Sequence, residues 1–173
     1  MITLLLGGVR SGKSTRALAL GGKRPRCRVF FLATASPSDR EMARRIAAHR
    51  RERPRSWITI EESRGIPEAL ARIPLGSVVI LDCLTLWIAR LLSDRMDSAR
   101  ILARAGELCR IVRARRLSLI AVSNEVGSGV VPPTTLGRSY RDLLGAVNAA
   151  IASKADRVEL MVAGLPVRIK PAG

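Results

Sequence analysis

The chain has 173 residues, 47% hydrophobic and 25% charged, which suits one globular domain with a full core and excludes a disordered chain. Thirty Lys and Arg against fourteen Asp and Glu leave a charge of +16. The basic residues are spread along the chain and only Lys13, Lys23, Lys154 and Lys170 are lysine, so anionic small substrates and arginine-rich composition account for the charge better than nucleic acid does.

Met1 leads into Ile2-Thr-Leu-Leu-Leu6, which reads as a strand and not as a charged leader followed by a long apolar stretch. No apolar run reaches the length of a membrane span. The strand runs into Gly7-Gly-Val-Arg-Ser-Gly-Lys-Ser14, the pattern G-x-x-x-x-G-K-[ST]. Each residue type has a task there: glycines let backbone N–H groups converge on phosphate oxygens, Lys13 reaches the β and γ phosphates, and Ser14 ligates Mg²⁺. A helix through Thr15-Arg-Ala-Leu-Ala-Leu20 completes the strand, loop and helix context and adds its positive end to the anion site. The bland alternative is a glycine turn without a ligand.

Gly21 to Pro25 breaks the pattern, and Cys27 to Thr34 reads as a second strand. Ser38 and Glu41 form a capping-box signature behind Pro37, announcing a helix from about Asp39 to Arg53. On it Met42, Ile46 and His49 share a face, so the one histidine of the chain is expected to point toward the body of the protein. Spacing alone leaves it either a packing residue or a catalyst. The many arginines around it are either a solvated face or phosphate ligands.

Trp57 to Ile60 is a short strand, Ile66 to Arg72 a weak helix, and Ser77 to Asp82 the best buried strand. Asp82 at its end is placed to position Mg²⁺ or its waters, with capping of a Leu84 to Leu92 helix as the alternative. A helix from about Ser98 to Arg116 precedes the strand Leu117 to Val122. That strand ends in Ser123-Asn-Glu-Val-Gly-Ser-Gly129, small and polar residues where open α/β sheets bind ligands. A helix from about Thr135 to Lys154 is followed by strands Arg157 to Ala163 and Val167 to Lys170 around a Gly164-Leu-Pro166 turn. Cys27, Cys83 and Cys109 are far apart, which supports neither a disulfide framework nor a zinc site and suits a reducing, cytoplasmic setting. The expected fold is α/β: one P-loop NTPase-type domain over residues 1–173, a mostly parallel sheet flanked by helices with an antiparallel edge hairpin at its C-terminal end.

Several stretches together resemble the bifunctional adenosylcobinamide kinase and adenosylcobinamide-phosphate guanylyltransferase family of cobalamin biosynthesis. They are Gly7 to Ser14, Ala33-Thr-Ala35, His49-Arg-Arg-Glu-Arg-Pro54 with Trp57 and Glu61, Leu81 to Trp87, and Ser123 to Pro132. Arg141-Asp142, Gly145, Asn148 and Gly164 to Lys170 continue the match, which spans nearly the whole chain. Val9, Tyr140, Ala149 and Pro166 depart from the usual residues without removing a catalytic group.

The resemblance implies a RecA-like fold and two linked reactions. The first phosphorylates the hydroxyl of adenosylcobinamide. The second transfers GMP from GTP to that phosphate through a covalent histidine, matched here by His49, with Lys13 as the second catalytic residue. The implied nucleotide site comprises Gly7, Gly8, Val9, Arg10, Ser11, Gly12, Lys13, Ser14, Ala33, Thr34, Ala35, Arg50, Arg51, Glu52, Arg53, Glu61 and Asp82. Ser14 and Asp82 hold Mg²⁺, and GTP and ATP serve as substrates. A homotrimer is also implied. One loop serving attack at both the γ and the α phosphate requires two nucleotide poses or a moving His49 segment. A basic P-loop ATPase acting on nucleic acid, or a small-molecule kinase with a structural His49, are the alternatives.

Overall fold

The apolar runs become strands and the amphipathic stretches become helices, in the order β1 (Ile2–Gly7), α1 (Lys13–Gly22), β2 (Val29–Ala33), α2 (Arg40–Arg51), β3 (Ile58–Glu61), α3 (Ile66–Arg72), β4 (Val78–Asp82), α4 (Leu84–Ser93), α5 (Ser98–Ala114), β5 (Ser118–Val122), α6 (Thr135–Lys154), β6 (Arg157–Val162) and β7 (Leu165–Lys170). A computed structural model describes residues 1–23, 27–36 and 40–171, and the side chains of Glu41, Met42 and Arg45 lie outside that description. The Pro37, Ser38 and Glu41 capping signature and the Met42 side chain therefore fall outside the described residues.

One sheet holds all seven strands in the order β3-β2-β4-β5-β1-β6-β7. β1 to β6 run parallel, and only β7 is antiparallel. The carboxyl ends of six strands therefore share one rim, where a ligand finds loops and helix N-termini together. On one face Leu4, Leu32, Val79, Leu81 and Leu119 pack against residues of α3 to α6, including fully buried Trp87. On the other, Leu5, Phe31, Ile80 and Val122 pack against Ala17 of α1 and Trp57. Both faces are covered, which is why the central strands read as continuous apolar runs.

Local signals explain most boundaries. Asp97 caps α5 by accepting from Arg100 N at 2.8 Å, and Thr134 caps α6 by accepting from Gly137 N at 3.1 Å. Gly12 turns the loop into α1 at a φ of 92°. The C-terminal hairpin turns on Ala163 and Gly164, at φ values of 48° and 84°. This corrects the expected Gly164 to Pro166 turn: the two positive-φ residues suffice for a tight hairpin. Pro166 instead sits inside β7, opposite Met161. An edge strand tolerates the missing N–H.

A carboxylate is buried in the sheet at β6. The Glu159 side chain on β6 is 1% exposed and takes Arg16 Nε at 2.9 Å and Nη2 at 3.0 Å, with Arg157 as a further partner. Burial alone would raise its pKa, but the bonds from Arg16 and Arg157 more than offset that and hold it below the usual value. The pair ties the first turns of α1 to β6.

Removing the charge in Glu159→Gln leaves two arginines facing an uncharged amide, and denaturant unfolding at neutral pH should show a loss of about 3 kcal/mol. A depressed carboxylate stabilises above its unfolded pKa, so the difference from wild type is full at neutral pH. It shrinks as pH falls below 4.5 through the folded pKa. An unchanged difference across that window would assign the loss to shape.

Candidate active site

The loop between β1 and α1 is built so that side chains cannot enter it. Gly7 has φ 149°, and a Cβ there would lie 2.6 Å from both Met161 O and Ser11 Oγ. A Cβ on Gly12 would lie 3.1 Å from Gly164 Cα, because the β6–β7 turn backs the loop and Gly164 N donates to Ser11 O at 3.0 Å. The backbone stays thin there, so an anion can come close to its N–H groups, of which Ser11 N donates to Gly8 O at 3.3 Å. Lys13 is 8% exposed, and its Nζ donates to Gly7 O at 2.9 Å and Gly8 O at 2.6 Å. Burial lowers its pKa, opposed by the charge of Asp82.

Asp82 ends β4 facing this loop. Burial pushes its carboxyl pKa up, while a hydrogen bond from Ser14 and the nearby His49, Arg53 and Lys13 pull it down. It does not cap α4: the N-cap residue is Cys83, with no side-chain cap bond. Thr34 holds the strand end in place, with its N donating to Asp82 O at 3.1 Å and its Oγ1 donating to Cys83 O at 2.8 Å and accepting from Cys83 N at 2.7 Å. Thr34 is thus a buried clamp on the Asp82–Cys83 peptide and does not line the cavity.

The Ser14 hydroxyl and the Asp82 carboxylate form a hard-oxygen pair of the kind that holds Mg²⁺ beside phosphates. Among the described residues no group of three His, Cys, Asp or Glu could hold a metal alone. A cation here would take its other ligands from phosphate and water, as Mg²⁺ does.

A cavity of about 580 Å³ collects Val9, Arg10, Ser11, Gly12, Lys13, Ser14, His49 and Asp82 from the predicted set. His49 reaches it from the last turn of α2. Its side chain is 51% exposed, with Nδ1 3.7 Å from Glu52 Oε2. The side chain turns toward the body of the protein, as expected, but not to pack there: among the described apolar side chains of α2 only Ile46 is half-buried, while Ala43, Ala47 and Ala48 are exposed. The histidine faces the cavity mouth.

The remaining predicted residues divide. Ala33, Ala35 and Glu61 line a hollow of about 160 Å³ at the ends of β2 and β3, together with Ser36, Glu62 and Ser63. Arg50 Nη1 lies 3.8 Å from Glu61 Oε1 beside that hollow. Arg53 stacks on the Phe31 ring at 3.7 Å and donates to Thr59 Oγ1, and burial lowers its pKa. Arg51 is exposed at the end of α2. Gly7 and Gly8 contribute their carbonyls to Lys13.

The cavity also takes in Cys83, Thr85, Leu86, Val122 and Asn124, none of them in the predicted set. Burial pushes the Cys83 thiol up to about 11, so it is a neutral wall residue. The sequence signals for Asn124 were its place in the polar loop Ser123 to Gly129 just past a buried strand and in the Ser123 to Pro132 stretch of the family resemblance.

Among solved structures, an ATPase domain aligns at a TM-score of 0.53 and 14% identity, covering 92% of this chain and 68% of that one. A type III secretion system ATPase of pathogenic bacteria aligns at 0.54 and 13% identity, covering 96% and 56%. At such identity these two establish the P-loop ATPase fold and nothing more. A family model described as cobinamide kinase / cobinamide phosphate guanyltransferase matches residues 3–169. A bifunctional adenosylcobalamin biosynthesis protein of Pseudomonas aeruginosa is 42% identical over 177 residues, covering 98% of each chain. Its Escherichia coli counterpart is 38% identical over 184 residues, covering 98% of this chain and 100% of that one. With the loop, the histidine and the acidic strand end gathered in one cavity, the chain belongs to the cobinamide kinase / cobinamide phosphate guanyltransferase family.

Proposed function

We propose that residues 1–173 act as one catalytic domain that phosphorylates the hydroxyl of adenosylcobinamide with a nucleoside triphosphate, then moves GMP from GTP onto the new phosphate. The observation that carries this reading is His49 facing the same cavity as Lys13, Ser14 and Asp82. A phosphate loop alone suits attack at the γ phosphate, while a histidine at its mouth adds a nucleophile for the α phosphate.

In the guanylyl reaction a neutral His49 nitrogen attacks the α phosphorus, forming a P–N bond as the bond to the bridging oxygen breaks and pyrophosphate leaves. The other ring nitrogen, Nδ1, keeps its proton, with the Glu52 carboxylate 3.7 Å away. The acceptor phosphate then attacks that phosphorus, and imidazole leaves with the P–N electron pair. No net proton is needed. Lys13 and the loop amides stabilise charge on the departing pyrophosphate. Ser14 and Asp82 would hold Mg²⁺, which would neutralise phosphate charge. The hollow by Glu61 receives the base end of the nucleotide, where a carboxylate accepts the N–H donors that guanine presents.

Mixing the protein with GTP and Mg²⁺ should add one guanylyl unit, mapped by mass spectrometry to His49. GTP binding without an adduct would sink the reading.

The three free cysteines, one of them exposed, suit the cytoplasm, and among the described residues no helix is long and apolar enough to cross a membrane. A homotrimer is part of the same reading. Leu165, Val167 and Ile169 stand on one face of the edge strand β7, all more than half exposed, and an apolar edge of this kind invites a second chain. Light scattering should give three times 18.8 kDa. A monomer mass would remove this part of the reading.

A further inference from the structure

The cavity has two unlike walls. On one side stand the phosphate loop and α1, on the sheet face that also carries Phe31, with Arg53 and α2 beyond it. Opposite are Thr85 and Leu86 from the first turn of α4, with Asn124 at the end of β5. That second wall belongs to the face covered by α3 to α6. The predicted nucleotide residues occupy the first wall and the rim toward β2 and β3, which leaves the second without an assigned task.

Asn124 is held from three directions. Its backbone N donates to Thr85 Oγ1 at 2.8 Å, and its backbone O accepts from Asn148 Nδ2 at 3.0 Å. The next residue is bolted to the loop strand, with Glu125 N donating to Gly7 O at 3.0 Å. Thr85 is itself pinned by Tyr140, whose hydroxyl donates to Thr85 O at 3.1 Å. Burial pushes that phenol up to about 12, so it remains a proton donor throughout the working range. Among the described residues no hydrogen bond engages the Asn124 side chain, which lines the cavity. Three elements, α4, α6 and β1, thus fix the backbone of a residue whose carboxamide is left for a ligand.

We infer that Asn124, with Thr85 and Leu86, forms the acceptor subsite: the wall that presents the corrinoid hydroxyl and then its phosphate monoester to the nucleotide across the cavity. This rests on the proposed function. A carboxamide suits the task because the acceptor changes between the two steps. In the kinase step the amide oxygen accepts from the attacking hydroxyl. An O–P bond forms at the γ phosphorus, the bridging bond breaks, the nucleoside diphosphate leaves with the electron pair, and the hydroxyl proton goes to solvent. In the guanylyl step the amide N–H₂ donates to a non-attacking oxygen of the acceptor phosphate, while another phosphate oxygen displaces His49.

The test separates formation of the GMP adduct, which involves no acceptor, from the two acceptor reactions, assayed with cobinamide and cobinamide phosphate. Asn124→Ala should form the adduct within about threefold of the wild-type rate but lose about a hundredfold in both acceptor reactions, the scale of lost positioning. Asn124→Asp keeps the oxygen and loses the donor. At saturating nucleotide its kinase kcat should stay within about tenfold, while GMP transfer to the phosphate falls more than about a hundredfold, through both lost donation and repulsion. Adduct formation and both acceptor reactions falling in parallel would place Asn124 in the nucleotide half and overturn the inference. Undiminished acceptor reactions in Asn124→Ala would overturn it equally. A wild-type protein that forms no adduct would overturn the proposed function and this subsite with it.

Discussion

His49→Ala is expected to form no GMP adduct and to lose GMP transfer by on the order of 10⁴-fold or more, the scale seen when a covalent nucleophile is removed. Kinase activity should survive within about tenfold, since Lys13, Ser14 and Asp82 remain and attack at the γ phosphorus needs no imidazole. The asymmetry is the point of the measurement. A misfolded variant loses both reactions, and a histidine that merely packs on its helix costs neither. Packing is a poor account in any case, because the side chain is half-exposed and its helix leaves three alanines in solvent. Added imidazole should restore part of the transfer without giving a protein adduct. Full transfer by His49→Ala would mean that the acceptor phosphate attacks GTP directly, and the two-step route would be abandoned. The Glu52 carboxylate, 3.7 Å from Nδ1, contributes little to this, since both side chains are more than half exposed.

How much of this was readable from residue order depends on the distance over which each signal acts. The phosphate loop was legible because its determinants lie within eight residues, and the glycines at Gly7 and Gly12 are required by backbone and neighbours that any such loop must meet. The parallel sheet was legible because two-sided burial leaves unbroken apolar runs, as in Val78 to Leu81.

Helical periodicity turned His49 toward the body of the protein but could not tell that it meets an open cavity instead of a packed core, because a face is reported only as far as the helix packs, and among the described apolar side chains of α2 only Ile46 is half-buried. Thr34 matched a nucleotide-binding segment, yet its hydroxyl is spent on the Cys83 peptide, 49 residues away. Asn124 was legible only as one residue of the ligand-binding loop Ser123 to Gly129; its own placement was not, because its supports Thr85 and Asn148 lie 39 and 24 residues distant, and no local pattern encodes such a triangle. Glu159 is hidden differently. A lone carboxylate in an apolar strand reads as a solvent-facing residue until Arg16, 143 positions earlier, is brought against it.

Lys13→Ala should divide the reactions along another line. Its ammonium is folded back onto the carbonyls of Gly7 and Gly8, so the loop holds the lysine in place before any phosphate arrives. Binding of a triphosphate exchanges those carbonyls for β and γ oxygens, and the buried position makes the charge more effective there than in water. Both steps that break a bond to the β phosphate need that charge on the leaving group: γ phosphoryl transfer and formation of the guanylyl-histidine. Each is expected to slow by about 10²- to 10³-fold, the cost of one transition-state charge donor. The third step has no pyrophosphate to release. Adduct accumulated slowly on Lys13→Ala and then separated from GTP should pass GMP to cobinamide phosphate within about tenfold of the wild-type rate, read by single-turnover quench flow. Equal slowing of all three steps would show that Lys13 supports the architecture of the loop instead of the departing phosphate. Lys13→Arg should not rescue the first two steps, because a planar guanidinium cannot occupy the enclosed, carbonyl-lined position that a compact ammonium fills.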